Sequence, residues 1–418
     1  MAEITTTVVE MNNKEGLGWR IGLVVIALMA IGTIFVFSAG VDVARDINLS
    51  RFYESANLRK VLFFPLAVVV MLVASRIDYR RFGFDKGPLR SPMTYLFIVS
   101  VILLVIVLMP GIGREVNRAR RWLWIPLGPA TISFQPSELA KWVMVFSLAG
   151  FCAKYGDRLK SFKRGFGPVC LVIGLVVGLV IIEDFGSAAL IALLSFFILL
   201  VGGANWRYLV APLPVAAVGF VAAILTSPAR MMRILAFLHP NQWTAGANYQ
   251  ASQSLIAIGS GGIFGKGLGR GVCKYGHLPE DTTDFIFAII GEEMGFVGTA
   301  VVIALFIIFV WLGILVVMRC KEPFGRLLAT SIVLAVGVQA ALNIGVVTVV
   351  LPTKGLPLPF VSAGGTSMLL SAAAIGVLLN IASHGELACP RMSLSGVEPA
   401  QCAENVEYSP PDATGNNA

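Results

Sequence analysis

Apolar residues fall in ten runs separated by polar segments: Ile21–Gly40, Val61–Ala74, Met93–Met109, Leu139–Ala153, Phe166–Ile182, Ala188–Gly203, Tyr208–Leu225, Phe296–Val317, Leu327–Leu351 and Met368–Ile381. A helix needs about 20 such residues to cross a bilayer, and several runs reach that length only by drawing on their polar flanks. The pattern therefore predicts an all-α polytopic membrane protein with about ten transmembrane helices. The first run is too long for a signal-peptide core and lacks a clear small-residue cleavage site, so it is expected to be a retained anchor. Residues 1–20 are then a cytoplasmic N-terminal tail and 21–383 the membrane domain. Residues 384–418, with Pro390, Pro399, Pro410 and Pro411 and little apolar periodicity, read as a disordered cytoplasmic C-terminal tail. Residues 227–295, between spans seven and eight, are too many for a turn and predict a large structured extracytoplasmic loop that holds the site.

Composition agrees with this picture. The chain of 418 residues is 56% hydrophobic and 13% charged, where soluble domains average roughly 45–50% and 25%. Its net charge of +8 is spread over short turns, which argues against nucleic acid as a partner. Lys and Arg are most frequent in the connections that lie inside when both termini are cytoplasmic, such as Arg76, Arg80, Arg81, Lys86 and Arg90 after span two. Six cysteines without a C-x-x-C pair and three histidines give no disulfide framework and no zinc site.

Three polar groups stand out on the expected outer face. The long loop carries Tyr249, Gln250, Gln253 and Ser254, then Gly261, Gly262, Gly265, Gly267, Gly269 and Gly271, a density that suits close backbone approach to a substrate or lipid head group and equally a flexible hinge. It continues as Leu278-Pro279-Glu280-Asp281-Thr282-Thr283-Asp284 before an apolar helix-like run. A carboxylate at the hydrocarbon edge must be solvated, paired or used. Asp284 reads locally as a helix cap. Glu292 and Glu293, a turn or two later, read as residues of a wet vestibule. The second group is Arg118-Ala119-Arg120-Arg121-Trp122 with Gln135-Pro136-Ser137-Glu138 and Lys141. Glu138 and Lys141, three apart on a helix opened by Pro136, share a face and suit an ion pair. The arginines suit phosphate, either of lipid or of an anionic substrate. The third group, Leu351-Pro352-Thr353-Lys354-Gly355 through Ser367, holds three prolines that forbid a regular helix, and irregular backbone at membrane depth lines a cavity or is buried in protein. Lys354 alone reads as a snorkelling lysine.

In combination these groups resemble the SEDS family (shape, elongation, division and sporulation), membrane glycosyltransferases that polymerise lipid-linked peptidoglycan precursor. The marks are Ala119-Arg120-Arg121-Trp122, Gln135-Pro136-Ser137-Glu138-Leu139, Asp184-Phe185-Gly186, Tyr249-Gln250 with Gln253-Ser254, Gly265-Lys266-Gly267-Leu268-Gly269, Leu278-Pro279-Glu280 with Thr283-Asp284-Phe285, and Leu351-Pro352-Thr353-Lys354-Gly355. Gly291-Glu292-Glu293 and Pro352-Thr353-Lys354-Gly355 look like the FtsW-like division and sporulation branch. The resemblance implies polymerisation of lipid II into glycan strands during septal wall synthesis, at the outer face of the bacterial inner membrane. It places the family's essential outer-loop aspartate on Asp284, as catalytic base, and its last-loop lysine on Lys354. Arg120, Arg121 and Lys354 are then expected to hold the departing pyrophosphate, and Gln250, Gln253 and Glu280 to contact glycan or position the loop. Glu138 and Lys141 match a charged pair of the family and are expected to be structural.

Three departures from the family pattern concern Glu280-Asp281-Thr282, where a small residue and a histidine are usual, Glu183 in place of a proline, and Ala363 in place of a tyrosine. The extra acid beside Asp284 raises a possible need for a divalent cation; no cofactor is otherwise implied. Expected partners are lipid II, a cognate class B penicillin-binding protein, other divisome membrane proteins and membrane lipid. The rival readings are a lipid II flippase, since glycine-broken spans and a polar cavity also describe alternating access, and a non-catalytic divisome scaffold.

Overall fold

A computed structural model of the protein describes residues 16–40, 56–84, 87, 90–110, 112–116, 119–127, 130–238, 247–272 and 283–387. Residues 1–15 and 388–418, most of both expected tails, lie outside the described residues, as do Glu280, Asp281 and Thr282, while both expected tail boundaries fall within described helix.

Each apolar run lies on helix. In chain order these are α1 (Leu17–Gly40), α2 (Ala56–Arg76), α3 (Pro92–Leu108), α4 (Pro136–Tyr155), α5 (Gly167–Ile181), α6 (Phe185–Val201), α7 (Trp206–Val210) with α8 (Leu213–Leu225), then α9 (Pro228–Leu238), α10 (Ala247–Gly261), α11 (Ile286–Arg319), α12 (Pro323–Val347) and α13 (Gly365–Leu387). Among the described residues five helical segments are long and apolar enough to cross a membrane: α1, α7 with α8, α11, α12 and α13. Four shorter apolar helices, α2, α3, α5 and α6, accompany them. Helix α4 is interrupted by charge, yet Glu138 and Lys141 are buried. The protein is a multi-pass helical membrane protein.

Hydrophobic side chains form one continuous core that reaches through most of these helices. Helix α13 lies along α2 and α1, α12 packs on α4 and α11, and α10 packs on α11. Helix α13 runs to Leu387, a turn beyond the boundary expected at Ser383, whereas α12 stops at Val347, before the expected Leu351. There the chain reverses: the amides of Val350 and Leu351 both return to the Gly345 carbonyl.

The segment after α3, read from sequence only as an arginine-bearing turn, folds as an antiparallel meander, β1 (Arg114–Val116), β2 (Ala119–Leu127) and β3 (Ala130–Phe134). Its β2–β3 register pairs Leu123 with Phe134 and Leu127 with Ala130. The β-branched and aromatic residues of β2 and β3 favour this pairing, and the sheet fixes the direction in which Arg120 and Arg121 leave the backbone.

Helix α11 contains a break at Gly295, whose φ of 67° and ψ of −158° no other residue type adopts readily. The glycine-rich segment after α10 packs into this break through main-chain hydrogen bonds, with the Lys266 side chain also paired to Glu292. Lys266 and Gly267 amides donate to the Glu292 and Glu293 carbonyls at 3.0 Å, and Phe296 and Val297 amides return to Gly262 and Ile263. A Cβ on Gly265 would lie 2.2 Å from the Glu293 carbonyl oxygen, and one on Gly295 would lie 2.4 Å from the Gly265 nitrogen. Gly261 and Gly265 thus permit close approach to the protein's own helix. At Gly261 and Gly265 the sequence expectation of approach to a substrate, or of a flexible hinge, is corrected, because the vacant Cβ position is filled by α11 backbone, whereas Gly262 has open space and Gly267 meets only the Arg270 side chain.

Candidate functional site

The sheet, the α5–α6 corner, helix α9, the start of α11 and the 348–364 connection meet at one end of the bundle. The corner supplies the frame. Asp184 caps α6: its Oδ1 accepts the Ser187 amide at 3.1 Å, and its Oδ2 accepts Ser187 Oγ at 2.7 Å and Gln135 Nε2 at 3.0 Å. With so many donors this carboxylate is committed to structure. Glu183, the residue that departs from the family pattern, accepts the Arg120 amide on Oε2 at 2.8 Å, while its main-chain carbonyl accepts Arg121 Nε at 2.8 Å. Arg230 of α9 donates to the carbonyls of Ile181 and Ile182 at 2.9 Å, where α5 ends and leaves acceptors unsatisfied. Together these bonds tie the sheet and α9 to the same corner. A small cleft there is lined by Arg120, Arg121, Ser137, Val180, Glu183 and Asp184.

Asp284 is half-buried, one residue outside α11, whose N-cap position is Phe285. The local reading of Asp284 as the cap is thereby corrected: the cap residue has no side-chain acceptor. Instead the Asp284 carboxylate extends toward Gly355. A Cβ built on Gly355 would lie 3.0 Å from Asp284 Oδ2 and 3.7 Å from Arg121 Nη1. Carboxylate and guanidinium therefore converge on a single point of the 348–364 connection, and a side chain at position 355 would intrude between them. Gly186, at the start of α6, faces the Gly355 carbonyl and Leu356 from the other side.

Cations surround this point. Lys354 Nζ lies 5.4 Å from the centre of the Phe185 ring, and the Arg230 guanidinium lies 5.6 Å from the centre of the same ring, so one aromatic ring holds two positive groups. Burial pushes the Lys354 ammonium below the ordinary lysine range. Arg233, three residues after Arg230, feels both Arg121 and Asp284: desolvation and Arg121 push its guanidinium down from the ordinary value, and Asp284 opposes them. Arg230 and Arg233 are not among the residues singled out from the sequence. The signal that would have found them is the Pro228-Ala229-Arg230-Met231-Met232-Arg233 spacing, a proline-opened amphipathic helix with arginines three apart on one face.

The other expected residues divide. Glu138 and Lys141 form an ion pair at 2.7 Å, each side chain 2% exposed. Lys141 also donates to Gln339 Oε1 at 2.8 Å, Ser367 Oγ donates to Glu138 at 2.8 Å, and Gln339 donates onward to the Pro357 carbonyl. This network underlies the 348–364 connection and joins α4, α12 and α13. Gln250 and Gln253 are half-buried on α10, next to Ser254, which donates to the Val347 carbonyl at 2.7 Å. Glu292 is fully buried, not in a wet vestibule: its Oε1 accepts Lys266 Nζ at 2.7 Å and the Val272 amide at 2.9 Å. Glu293, 1% exposed, accepts Ser38 Oγ on both oxygens. Among the described residues no group of three His, Cys, Asp or Glu is placed to hold a metal ion.

A carboxylate and several cations at one point, on rigid elements, can take a proton from a hydroxyl while stabilising an anion that departs nearby. Similarity to known proteins is consistent with such a site. The chain is 38% identical over 369 residues to the probable peptidoglycan glycosyltransferase FtsW of Trichlorobacter lovleyi, covering 88% of this chain and 93% of that one. It is 37% identical to the protein of the same name from Coxiella burnetii, with 90% and 100% covered. Stage V sporulation protein E of Bacillus subtilis is 35% identical, with 87% and 96% covered. Among solved structures, a chain of a peptidoglycan synthase complex that coordinates polymerization and crosslinking superposes with a TM-score of 0.68 at 25% identity, covering 88% of this chain and 98% of that one. The rod shape determining protein RodA of Thermus thermophilus superposes at 0.60 and 26% identity, with 87% and 96% covered. The family model described as cell cycle protein, FtsW/RodA/SpoVE, matches residues 19–387, and the chain belongs to that family.

Proposed function

We propose that this chain is a peptidoglycan glycosyltransferase that polymerises lipid II in septal wall synthesis, with Asp284 as the catalytic base. Its relatives carry the glycosyltransferase name. The observation that supports the assignment of residues is the convergence of Asp284 Oδ2 and Arg121 Nη1 on Gly355. In the reaction the acceptor sugar hydroxyl attacks the anomeric carbon of the growing glycan. The new C–O bond forms, the bond from that carbon to the lipid pyrophosphate breaks with its electron pair, and the hydroxyl proton passes to Asp284. The leaving group is already acidic, so no second carboxylate is required to protonate it, in contrast to glycoside hydrolysis.

Arg121, Lys354 and Arg233 receive the pyrophosphate charge, guanidinium as a fork and ammonium as a point charge. Arg120 borders the same cleft, and Arg230 holds the corner to which the others are fixed. Gln250, Gln253 and Glu280 remain assigned to glycan contact or loop positioning. The excess of Lys and Arg on the opposite connections supports cytoplasmic termini and a site on the outer face of the inner membrane. A class B penicillin-binding protein as partner is consistent with the synthase complex whose polymerising chain this one resembles.

The test is purified, folded Asp284→Asn protein supplied with lipid II and its partner. No glycan product is expected. Wild-type yield and polymer length from this variant refute the base assignment and favour a transporter or scaffold.

A further inference from the structure

The main chain at Thr283 and Asp284 precedes α11, and two side chains from distant segments bind its carbonyls. Ser362 Oγ donates to the Thr283 carbonyl, and Asn343 Nδ2 donates to the Asp284 carbonyl at 2.8 Å. The same Asn343 Nδ2 donates to the Leu356 carbonyl at 2.6 Å, and the same Ser362 Oγ accepts the Leu358 amide at 2.8 Å. Both side chains are buried, at 1% and 5% exposure. Each therefore bridges the Asp284 segment to the stretch that immediately follows Gly355.

Asn343 Oδ1 is buried and has no hydrogen-bond partner. Buried polar atoms are almost always satisfied, so an orphan acceptor calls for a reason. Turning the amide over would set Oδ1 against two carbonyl oxygens and strand both. The amide is thus committed to its two donor bonds at the expense of its oxygen.

We infer that Asn343 and Ser362 are positioning residues for polymerisation: they lock the Asp284 peptide to residues 356–358, which holds the carboxylate over Gly355 beside Arg121. This rests on Asp284 as the base. A displacement of about 1 Å at a reacting group lowers rate by up to about 10²-fold without altering how substrate is bound elsewhere. A residue that served folding alone would change the amount of active protein and not the turnover of each molecule.

The experiment measures kcat and KM for lipid II on the full chain with its partner, corrected for folded fraction, in Asn343→Ala, Ser362→Ala, Asp284→Asn and Asn380→Ala. Asn380 is the control. It is buried and makes two comparable main-chain bonds, accepting the Tyr79 amide at 3.1 Å and donating to the Ser75 carbonyl at 2.8 Å, toward the other end of α13. Asn343→Ala is expected to lower kcat about tenfold or more with KM changed less than about twofold. Ser362→Ala is expected to lower kcat in the same sense by less, and Asn380→Ala to lose thermal stability while kcat stays within about twofold. Ser362→Ala deletes one hydroxyl and carries the test if Asn343→Ala does not fold. Wild-type kcat in the folded variants, or a rise in KM alone, overturns the inference. If Asp284→Asn polymerises normally, the base assignment fails and the inference with it. If Asp284→Asn is inactive while both positioning variants turn over normally, the inference alone fails.

Discussion

Gly355→Ala separates catalytic geometry from stability. The Gly355 backbone lies outside the left-handed region, so alanine adds no backbone strain. By restricting the unfolded chain it is expected to be neutral or to stabilise by about 0.4–1 kcal/mol. The added methyl, however, would lie 3.0 Å from Asp284 Oδ2 and 3.7 Å from Arg121 Nη1. Ordinary contact between such atoms is about 3.5 Å or more, so the carboxylate must retreat by roughly 0.5 Å. Functional constellations tolerate about that much before rate suffers. The expected loss is therefore about tenfold in kcat, equivalent to about 1.4 kcal/mol of barrier. The assay pairs initial rates of glycan synthesis from lipid II with thermal unfolding in detergent, on the same preparation. Undiminished kcat in a folded Gly355→Ala protein refutes the claim that the Asp284–Gly355 contact sets the position of the base. So does a loss of activity that tracks a loss of folded protein.

Other consequences can be measured separately. Glu138→Gln leaves the Lys141 ammonium buried beside a neutral partner and is expected to cost about 3–5 kcal/mol, read as a large drop in unfolding temperature, whereas replacing Glu138 and Lys141 together by apolar residues of similar volume is expected to recover most of it. Because burial depresses the Lys354 pKa, its charge is lost earlier than for an ordinary lysine as pH rises; the alkaline limb of the rate profile should lie below the usual lysine range, and Lys354→Arg should move it upward. Glu183→Gln weakens the bond to the Arg120 amide without removing the acceptor, so hydrogen exchange at that amide should accelerate several-fold, by about 1 kcal/mol, while the Arg121 bond to the Glu183 carbonyl persists.

The spans were legible because their signal is local: apolar length alone marks α1 and α12, and the three-residue spacing of Glu138 and Lys141 contains their pairing. The break in α11 was implicit in the sequence too, since the apolar run was read from Phe296, the first residue after Gly295. The site was different in kind. Nothing local joins Asp284 to Arg121 and Gly355; only the motif resemblance brought the three segments into one reading. The sheet was missed because Arg114, Arg120 and Arg121 obscure a short alternating pattern. Arg230 and Arg233 were missed because the long loop was read for its polar motifs and glycines, and its first segment was not placed on a helix. Asn343 gave no sign in the sequence, since its two acceptors lie 59 and 13 residues away. The glycine run misled for a related reason: density shows that backbone comes close to something, and only the fold shows that the something is α11.

The seam between residues 262–267 and the break in α11 is sewn mainly from amide to carbonyl, with the Lys266–Glu292 ion pair as a side-chain stitch beside them. Ile263, Phe264 and Leu268 are consequently left facing outward at 64%, 82% and 61% exposure, unencumbered by duties to the seam itself. Such a joint lets evolution repaint the loop's outward surface, residue by residue, while Asp284, eleven residues before the break at Gly295, keeps its place.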